Sequence, residues 1–112
     1  MKIVMPVSNN SPDALIDDRF GRCPYFAIHD TESGKTTFVA NDVQESGSGV
    51  NAASNVLKFS PDAVITLTIG PKAFRVIKTS GTKIYEGVKG NIKQNIELLT
   101  RGELKEINAP NN

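Results

Sequence analysis

The segment DAVITLTIGPKAF, residues 62–74, indicates an α/β protein. Its first half is a nearly unbroken apolar run from Ala63 to Leu67, which is typical of a strand buried on both faces of a parallel sheet. Its second half opens a helix, because Gly70 and Pro71 precede apolar residues at helical spacing and proline suits a first helical turn. A strand that leads directly into a helix predicts a strand–helix–strand crossover.

The segments on either side supply the other elements of this sheet. Four more strands are predicted from short apolar runs, at residues 3–7, 25–30, 35–41 and 83–86. Residues 31–34 have the composition of a hairpin turn. Two more helices are predicted, one opening at residues 46–49 and one that begins at the cap Asn91 and ends at Gly102.

The element order β-β-β-α-β-α-β-α predicts the architecture. The hairpin makes the second strand antiparallel to its neighbours, while the crossovers make the later strands parallel. We therefore expect a mixed five-stranded sheet flanked by three helices, in the α/β class. The 112 residues show no break in composition, so we predict a single domain over residues 1–105 and a polar, frayed tail over residues 106–112.

Charge and cysteine content exclude several kinds of partner. Thirteen Lys and Arg against twelve Asp and Glu leave a net charge of +1, which provides no electrostatic reason to expect nucleic acid or an anionic membrane as a partner. No apolar run approaches the ~18 residues of a membrane span. The single cysteine, Cys23, cannot form an internal disulfide, so the chain suits a reducing compartment and we predict a cytoplasmic protein.

The predicted topology brings four loops to one edge of the sheet. If the first and third strands run parallel, the loops after the first, third, fourth and fifth strands all open at the carboxyl edge, where open α/β sheets bind ligands. These loops are residues 8–24, 41–49, 68–71 and 87–90. The first loop has few apolar residues, so we expect it to be mobile when no ligand is bound.

Residues 19–26, RFGRCPYF, are the densest candidate for chemistry. Arg19 and Arg22 offer planar, forked donors to an anion. Their charges should lower the pKa of the Cys23 thiol, which would make it a better metal ligand or nucleophile. The alternative is that the aromatic residues pack in the core and that Cys23 is a small buried hydrophobe.

Glycine-containing helix starts are the second candidate. Ser46-Gly47-Ser48-Gly49 offers free backbone N–H groups and a favourable helix dipole to an anion. The starts at residues 70–71 and 87–91 repeat the arrangement. The alternative in each case is ordinary turn chemistry, and none of them matches a P-loop or a Rossmann fingerprint.

The remaining side chains do not build a catalytic set. His29, the only histidine, lies inside a predicted strand, where a structural role is expected. Without a second histidine or a Cys-x-x-Cys motif, a structural zinc site is excluded. The acidic residues show no spacing typical of a two-metal nuclease. We therefore predict a binding or carrier protein that is not an enzyme.

Several motifs, in order along the chain, resemble the dinitrogenase iron–molybdenum cofactor biosynthesis family. They are MKIVMPV at residues 1–7, FGRCPYF at 20–26, SGSGV at 46–50, IGPKAF at 69–74 and GEL at 102–104. The resemblance implies a ribonuclease H-like motif with strand order 3-2-1-4-5. It also implies a carrier or chaperone of metal–sulfur clusters, whose ligand rests on the rim formed by loops 8–24 and 41–49.

Two positions depart from the pattern of this family. Members often carry a histidine just before Phe-Gly-Arg and another at the glycine-rich helix start, where this chain has Arg19 and Ser46. Cys23 is then the soft ligand left in the rim, and thiolate suits iron–sulfur and molybdenum–sulfur chemistry. Alternatively, arginines and backbone N–H groups hold an anionic cluster with little or no direct ligation.

Three functions remain open from the sequence. The first is a non-catalytic carrier of an anionic iron–sulfur or molybdenum–sulfur cluster, with Cys23 as the metal ligand. The predicted site of this carrier consists of Arg19, Phe20, Gly21, Arg22, Cys23, Ser46, Gly47, Ser48 and Gly49. Its partners would be proteins that donate or accept the cluster, and the chain would be a monomer or a weak homodimer. The second function is a cofactor-free regulatory or partner-binding module, and the third, by fold analogy alone, is a nuclease-like enzyme.

Overall fold

The computed structural model of the chain describes residues 1–41 and 49–111. The strands are β1 (Lys2–Val7), β2 (Tyr25–Asp30), β3 (Thr36–Ala40), β4 (Ala63–Thr66), β5 (Lys83–Glu86) and β6 (Lys105–Glu106). The helices are α1 (Gly49–Leu57), α2 (Pro71–Thr79) and α3 (Ile92–Thr100). Within the described ranges, no helix has the length and apolar character needed to cross a membrane.

The strands form one mixed sheet in the order β3-β2-β1-β4-β5-β6. β1 pairs parallel with β4, and β4 pairs parallel with β5. β2 pairs antiparallel with both β1 and β3, so β3 runs in the same direction as β1. The α/β class, the antiparallel second strand and the order 3-2-1-4-5 of the first five strands are therefore confirmed.

The sixth strand differs from the predicted five-stranded sheet and from the predicted frayed tail over residues 106–112. Lys105 and Glu106 pair antiparallel with the end of β5. The next residue, Ile107, is 6% exposed, and its N–H donates to the carbonyl of Ile84 at 2.7 Å. One buried apolar side chain produces no periodic pattern in a sequence, yet its burial and backbone pairing hold this segment on the sheet.

Capping residues set the ends of α2 and α3 as predicted. α2 follows Gly70, which is extended (φ −77°, ψ 168°), and has Pro71 in its first turn. α3 begins with a capping box, in which the side chains of Asn91 and Gln94 each accept a hydrogen bond from the other's backbone N–H. Gly102, which follows α3, has a φ of +73° that residues with a Cβ rarely adopt.

Both faces of the sheet are covered, so β1 is buried from Ile3 to Val7. α1 and α2 lie on one face, where the core contains Val4, Val64, Ile84, Ala52, Val56, Ala73 and Ile77. α3 lies on the other face, where the core contains Ile3, Met5, Ile65 and Ile92. The central strands β1 and β4 are therefore apolar along nearly their whole length, and the buried polar residue Thr66 at the end of β4 bonds its hydroxyl to the carbonyl of Thr68.

The strand directions bring several loops to one edge of the sheet. β1, β3, β4 and β5 all end there, and β2 begins there. We call this edge the carboxyl rim, and its described loops are residues 8–24, 67–70 and 87–91. The chain order reverses between β1 and β4, which makes the point between these strands the place where open α/β sheets bind ligands.

Candidate functional site

The long loop between β1 and β2 is anchored along its length. The N–H of Ile16 donates to the carbonyl of Gly90, and the N–H of Asp17 donates to the carbonyl of Pro6, both at 2.9 Å. The residues of this loop that are at most 6% exposed are Ala14, Ile16, Phe20 and Cys23. These contacts contradict the reason for expecting a mobile loop, because a few well-spaced apolar side chains attach a polar segment to the core.

Residues 17–24, which we call the arginine loop, direct one aromatic ring and one thiol inward. Phe20 is 3% exposed, and its ring centroid lies 5.2 Å from that of Phe26 with the planes tilted by 58°. Tilted aromatic pairs of this kind are favourable beyond the area that they bury. Cys23 is fully buried in the same apolar cluster. The two inward side chains therefore fix the backbone of the loop.

Asn41, which directly follows β3, holds the arginine loop from the side. Its side-chain N–H group donates to the carbonyl of Cys23 at 2.9 Å and to the carbonyl of Gly21 at 3.2 Å. Its backbone N–H donates to the carbonyl of Pro24 at 2.9 Å. Asn41 was not among the predicted site residues. The signal that could have identified it is an asparagine at the point where the third predicted strand reaches the rim.

The two arginines of the loop are on its solvent side. The Arg19 side chain is 62% exposed, and its Nε lies 3.3 Å from Oδ1 of Asp17. The hydrogen bond with Asp17 raises the pKa of Arg19, so this guanidinium stays charged. Arg22 is exposed and forms no ion pair with any other described residue. Exposed guanidiniums on a fixed loop can bind an anion through paired N–H donors.

Cys23 is placed differently from the sequence-based expectation. Its thiol donates a hydrogen bond to the carbonyl of Phe20 at 3.4 Å inside the core. Burial raises the pKa of the thiol to about 12, and Asp17 also raises it. Arg19 lowers this pKa, as the sequence suggested, but the effect of burial is larger. In this conformation Cys23 is the small buried hydrophobe of the alternative interpretation, and it presents no thiolate to the solvent.

The glycine-rich helix start is only partly within the described residues. Gly49 is the first residue of α1. The other predicted site residues of this segment, Ser46, Gly47 and Ser48, lie outside the described ranges 1–41 and 49–111. Their assignment to the site stays a prediction.

Backbone polar groups in the helix start at residues 87–91 form hydrogen bonds with a side chain of α3. The buried Asn95 side chain accepts from the N–H of Val88 at 2.8 Å and donates to the carbonyls of Val88 and Asn91 at 3.1 and 3.0 Å. Gly87 makes this possible, because a Cβ there would lie 2.6 Å from Oδ1 of Asn95 and 2.7 Å from Cγ2 of Ile65. These contacts favour turn chemistry over anion binding for this segment.

A hydrogen bond connects the arginine loop to the loop that follows β4. The hydroxyl of Thr68 donates to the carbonyl of Asp18. The neighbouring Ile69 is 1% exposed, so this part of the second loop is anchored in the core. Because the two loops follow β1 and β4, the bond crosses the point where the strand order reverses.

His29 lies at the other end of the sheet. It pairs with Ile3 at the beginning of β1, whereas the carboxyl rim is at the end of β1. Its Nδ1 is 2.9 Å from Oγ1 of Thr36, and partial burial lowers its pKa. Among residues 1–41 and 49–111, no three His, Cys, Asp or Glu side chains are grouped so that they could hold a metal ion.

Known proteins share both the sequence pattern and the fold. The family model "Dinitrogenase iron-molybdenum cofactor" matches residues 1–102. An uncharacterised protein of Methanocaldococcus jannaschii is 32% identical, over 96% of this chain and 92% of its own length. The apo form of the orange protein from Desulfovibrio gigas has a TM-score of 0.92 and 26% identity, over 99% of this chain and 96% of that protein. A NifB-like protein from Thermotoga has a TM-score of 0.86 and 27% identity, over 99% and 97% of the two chains.

These similarities extend over nearly the whole length of the chain and of its relatives. They agree with the resemblance that the sequence motifs indicated. The chain belongs to the dinitrogenase iron–molybdenum cofactor family.

Proposed function

We propose that this protein is a non-catalytic carrier of an anionic metal–sulfur cluster, which it binds on the arginine loop at the carboxyl rim. The observation that carries the proposal is the position of Arg19 and Arg22, which face solvent on a loop fixed by buried side chains and by Asn41. Membership of the family, and structural similarity to the orange protein and to a NifB-like protein, support it.

The proposed binding is mainly electrostatic. An anionic cluster of metal and sulfide presents acceptor atoms on its surface, and each guanidinium offers several N–H donors in one plane. Gly21, which lies between Phe20 and Arg22, has no side chain to keep a bulky ligand from the backbone. Contacts with exposed guanidiniums are individually weak and screened by salt, which suits a protein that must release its cargo.

We assign Cys23 the role of inner anchor of the loop in the ligand-free protein. The thiol is buried and, with a pKa of about 12, protonated at neutral pH. Coordination of a metal would therefore require both exposure of the thiol and loss of its proton. Cys23 as a metal ligand, and Ser46 to Gly49 as part of the site, stay predictions. The cluster would be iron–sulfur or molybdenum–sulfur.

The proposed carrier performs no chemistry on its cargo. The single histidine lies at the opposite end of the sheet from the arginine loop, so it cannot serve as a general base there. The partners of such a carrier would be proteins that donate or accept the cluster. We expect it to act in the cytoplasm as a monomer or a weak homodimer.

Anaerobic reconstitution tests the proposal. The protein is mixed with iron and sulfide, or separately with tetrathiomolybdate, and its visible absorbance is recorded after desalting. The variants are Arg19→Ala, Arg22→Ala and Cys23→Ser. Arg101→Ala is the matched control, because its side chain is 66% exposed beside Glu103 at the far end of α3, much as the Arg19 side chain lies beside Asp17.

The pattern of colour separates the possible modes of binding. If the arginines hold the cluster, colour persists in the wild type, Cys23→Ser and Arg101→Ala proteins and falls in Arg19→Ala and Arg22→Ala. Colour lost only in Cys23→Ser, in a variant that unfolds at the same urea midpoint as the wild type, would establish direct ligation by the thiol. Colour unchanged in all variants, or absent from the wild type, would refute the proposed site.

The buried thiol and the two missing family histidines favour one alternative, a partner-binding module that does not hold a cofactor. This alternative predicts that no coloured species is retained under any reconstitution. It also predicts a protein partner whose capture is weakened by the same arginine substitutions.

A further inference from the structure

The C-terminal segment, residues 107–111, connects the edge of the sheet to the carboxyl rim. Ile107 attaches one end of this segment to β5. Asn111 attaches the other end through three hydrogen bonds to the loop after β4. Its side chain donates to the carbonyl of Leu67 at 3.0 Å and accepts from the N–H of Ile69 at 2.8 Å, while its backbone N–H donates to the carbonyl of Ile69 at 3.2 Å.

The Asn111 side chain takes the place of a peptide group from a neighbouring strand. It satisfies one acceptor and one donor of the segment 67–69, which lies beyond the end of β4 and so receives no pairing from the sheet. Ile69 is 1% exposed, and its N–H and the carbonyl of Leu67 both take a hydrogen-bond partner from the Asn111 side chain, which is itself exposed. The two side-chain hydrogen bonds of Asn111 therefore help to hold this loop in position.

The same loop supports the proposed cluster site. Thr68, between the two residues that Asn111 contacts, donates its hydroxyl to the carbonyl of Asp18 in the arginine loop. The next residue, Arg19, is one of the two proposed ligand contacts. Hydrogen bonds therefore join the C-terminal segment to the loop after β4 and, through Thr68 in the same loop, join that loop to the arginine loop.

We propose that Asn111 is a positioning residue for the cluster site, which acts by holding the loop after β4 where Thr68 can fix Asp18 and Arg19. This inference rests on the function proposed above. It assigns a role in cargo binding to a residue of the C-terminal segment that is far from the site in sequence and whose described hydrogen bonds all go to the loop after β4. Loss of the Asn111 side chain should loosen the arginine loop without unfolding the domain.

Amide hydrogen exchange in the ligand-free protein tests whether Asn111 stabilises the arginine loop, independently of cargo binding. In Asn111→Ala, exchange should accelerate by about fivefold at Ile69 and at Arg19, the effect expected from about one hydrogen bond. The Val88 amide, which is held by Asn95, serves as the internal reference and should not change. Asn108→Ala, a substitution at an exposed residue of the same segment, is the matched control and should change none of these rates.

The affinity for tetrathiomolybdate tests whether Asn111 also affects cargo binding. Asn111→Ala should weaken binding by about three- to tenfold relative to the wild type and Asn108→Ala. Thr68→Val removes the hydrogen bond between the two loops and should weaken binding by a similar factor. In the double variant Asn111→Ala with Thr68→Val the two effects should not add, because both substitutions break the same connection.

Two outcomes would overturn the inference. Faster exchange at Ile69 with no change at Arg19 would make Asn111 a purely local contact, and equal acceleration at Val88 would make it a general stabiliser. Failure of the proposed function has a different signature. In that case amide exchange at both Ile69 and Arg19 is still faster in ligand-free Asn111→Ala than in the wild type. The wild type, however, retains no tetrathiomolybdate.

Discussion

Cys23 lies near two charged side chains that act on its thiol in opposite directions. Arg19 lowers the pKa of the thiol and Asp17 raises it, but burial has the largest effect and raises it to about 12. The Arg19 side chain extends into water while the thiol bonds to the carbonyl of Phe20 in the core. A solvent-screened guanidinium stabilises the thiolate less than desolvation destabilises it, so proximity in sequence was a poor guide to reactivity.

The raised pKa of Cys23 predicts a loss of stability at high pH. The unfolded chain loses the thiol proton near the ordinary pKa of 9.0, whereas the folded chain keeps it until about 12. The stability that this protonated thiol contributes is complete below pH 9. It declines by about 1.4 kcal/mol per pH unit as the pH rises from 9 towards 12.

Denaturant unfolding of the wild type and of Cys23→Ala, from about pH 8 to 11, measures this decline. The comparison with Cys23→Ala is the control, because ionisations that the two proteins share cancel in the difference between their unfolding free energies. A difference in unfolding free energy that does not vary with pH would contradict the raised pKa of Cys23.

Among the elements, α3 begins where it does because of both local and tertiary contacts. Its capping box is a local signal that the sequence carries in full. The turn that precedes it also depends on Asn95, whose side chain bonds to Val88 and whose Oδ1 leaves no room for a side chain at residue 87. This requirement for glycine arises from packing and not from backbone conformation, and it cannot be read from the turn residues alone.

Substitution of Gly87 should therefore be costly. Gly87→Ala is expected to destabilise the domain by about 1–3 kcal/mol, the usual cost of overpacking a core position. Gly90→Ala is the matched control, because the atom that its Cβ would meet is the end of the flexible Gln94 side chain. The control should cost about 1 kcal/mol or less, the contribution of a weakened cap. Equal urea midpoints for the two variants would contradict this packing argument.

A second prediction about packing concerns Ile107, which directly follows β6 at the edge of the sheet. Ile107→Ala removes a buried side chain and should lower the unfolding free energy by about 2–4 kcal/mol. Val88→Ala, at a residue that is 41% exposed, removes the same kind of group from the surface and should stay within about 0.5 kcal/mol of the wild type. Thermal or urea unfolding measures both. A small effect of Ile107→Ala would mean that backbone pairing and Asn111, and not the Ile107 side chain, hold the C-terminal segment on the sheet.

In the whole molecule, the positive charge that matters for cargo is local. The net charge is only +1, so the protein as a whole exerts little attraction on an anion. The topology brings the arginine loop to the carboxyl rim, and the inward packing of Phe20 and Cys23 leaves the guanidiniums outside. Asp17 offsets part of this charge through its ion pair with Arg19.

Cargo binding should accordingly depend on salt. The screening length falls from about 10 Å at 0.1 M salt to about 3 Å at 1 M, so tetrathiomolybdate affinity should fall steadily over this range. The dependence should be shallower in Arg22→Ala, which lacks one of the two charges, and unchanged in Arg101→Ala. Titrations at several salt concentrations measure the slopes. A slope that is the same in all three proteins would exclude an arginine-based site.

The sequence by itself determined the fold class and the caps of α2 and α3, and the resemblance of its motifs implied the family and the order of the first five strands. These follow from apolar periodicity, from capping residues and from motifs, all of which are short-range features. It also identified the arginine loop as the candidate site, because Arg19, Arg22 and Cys23 lie close together in the sequence and the predicted strand directions bring residues 8–24 to the rim.

Only the tertiary structure decided which residues of that loop face the core and which contacts hold it. Asn41 bonds to a carbonyl 18 residues away, and Asn111 bonds to groups 42 and 44 residues away. The burial of Cys23, the addition of β6 and the connection of the C-terminal segment to the rim have the same origin. Each depends on partners that are distant along the chain and that local patterns do not encode, because a polar or isolated apolar residue acquires its role only from what packs against it.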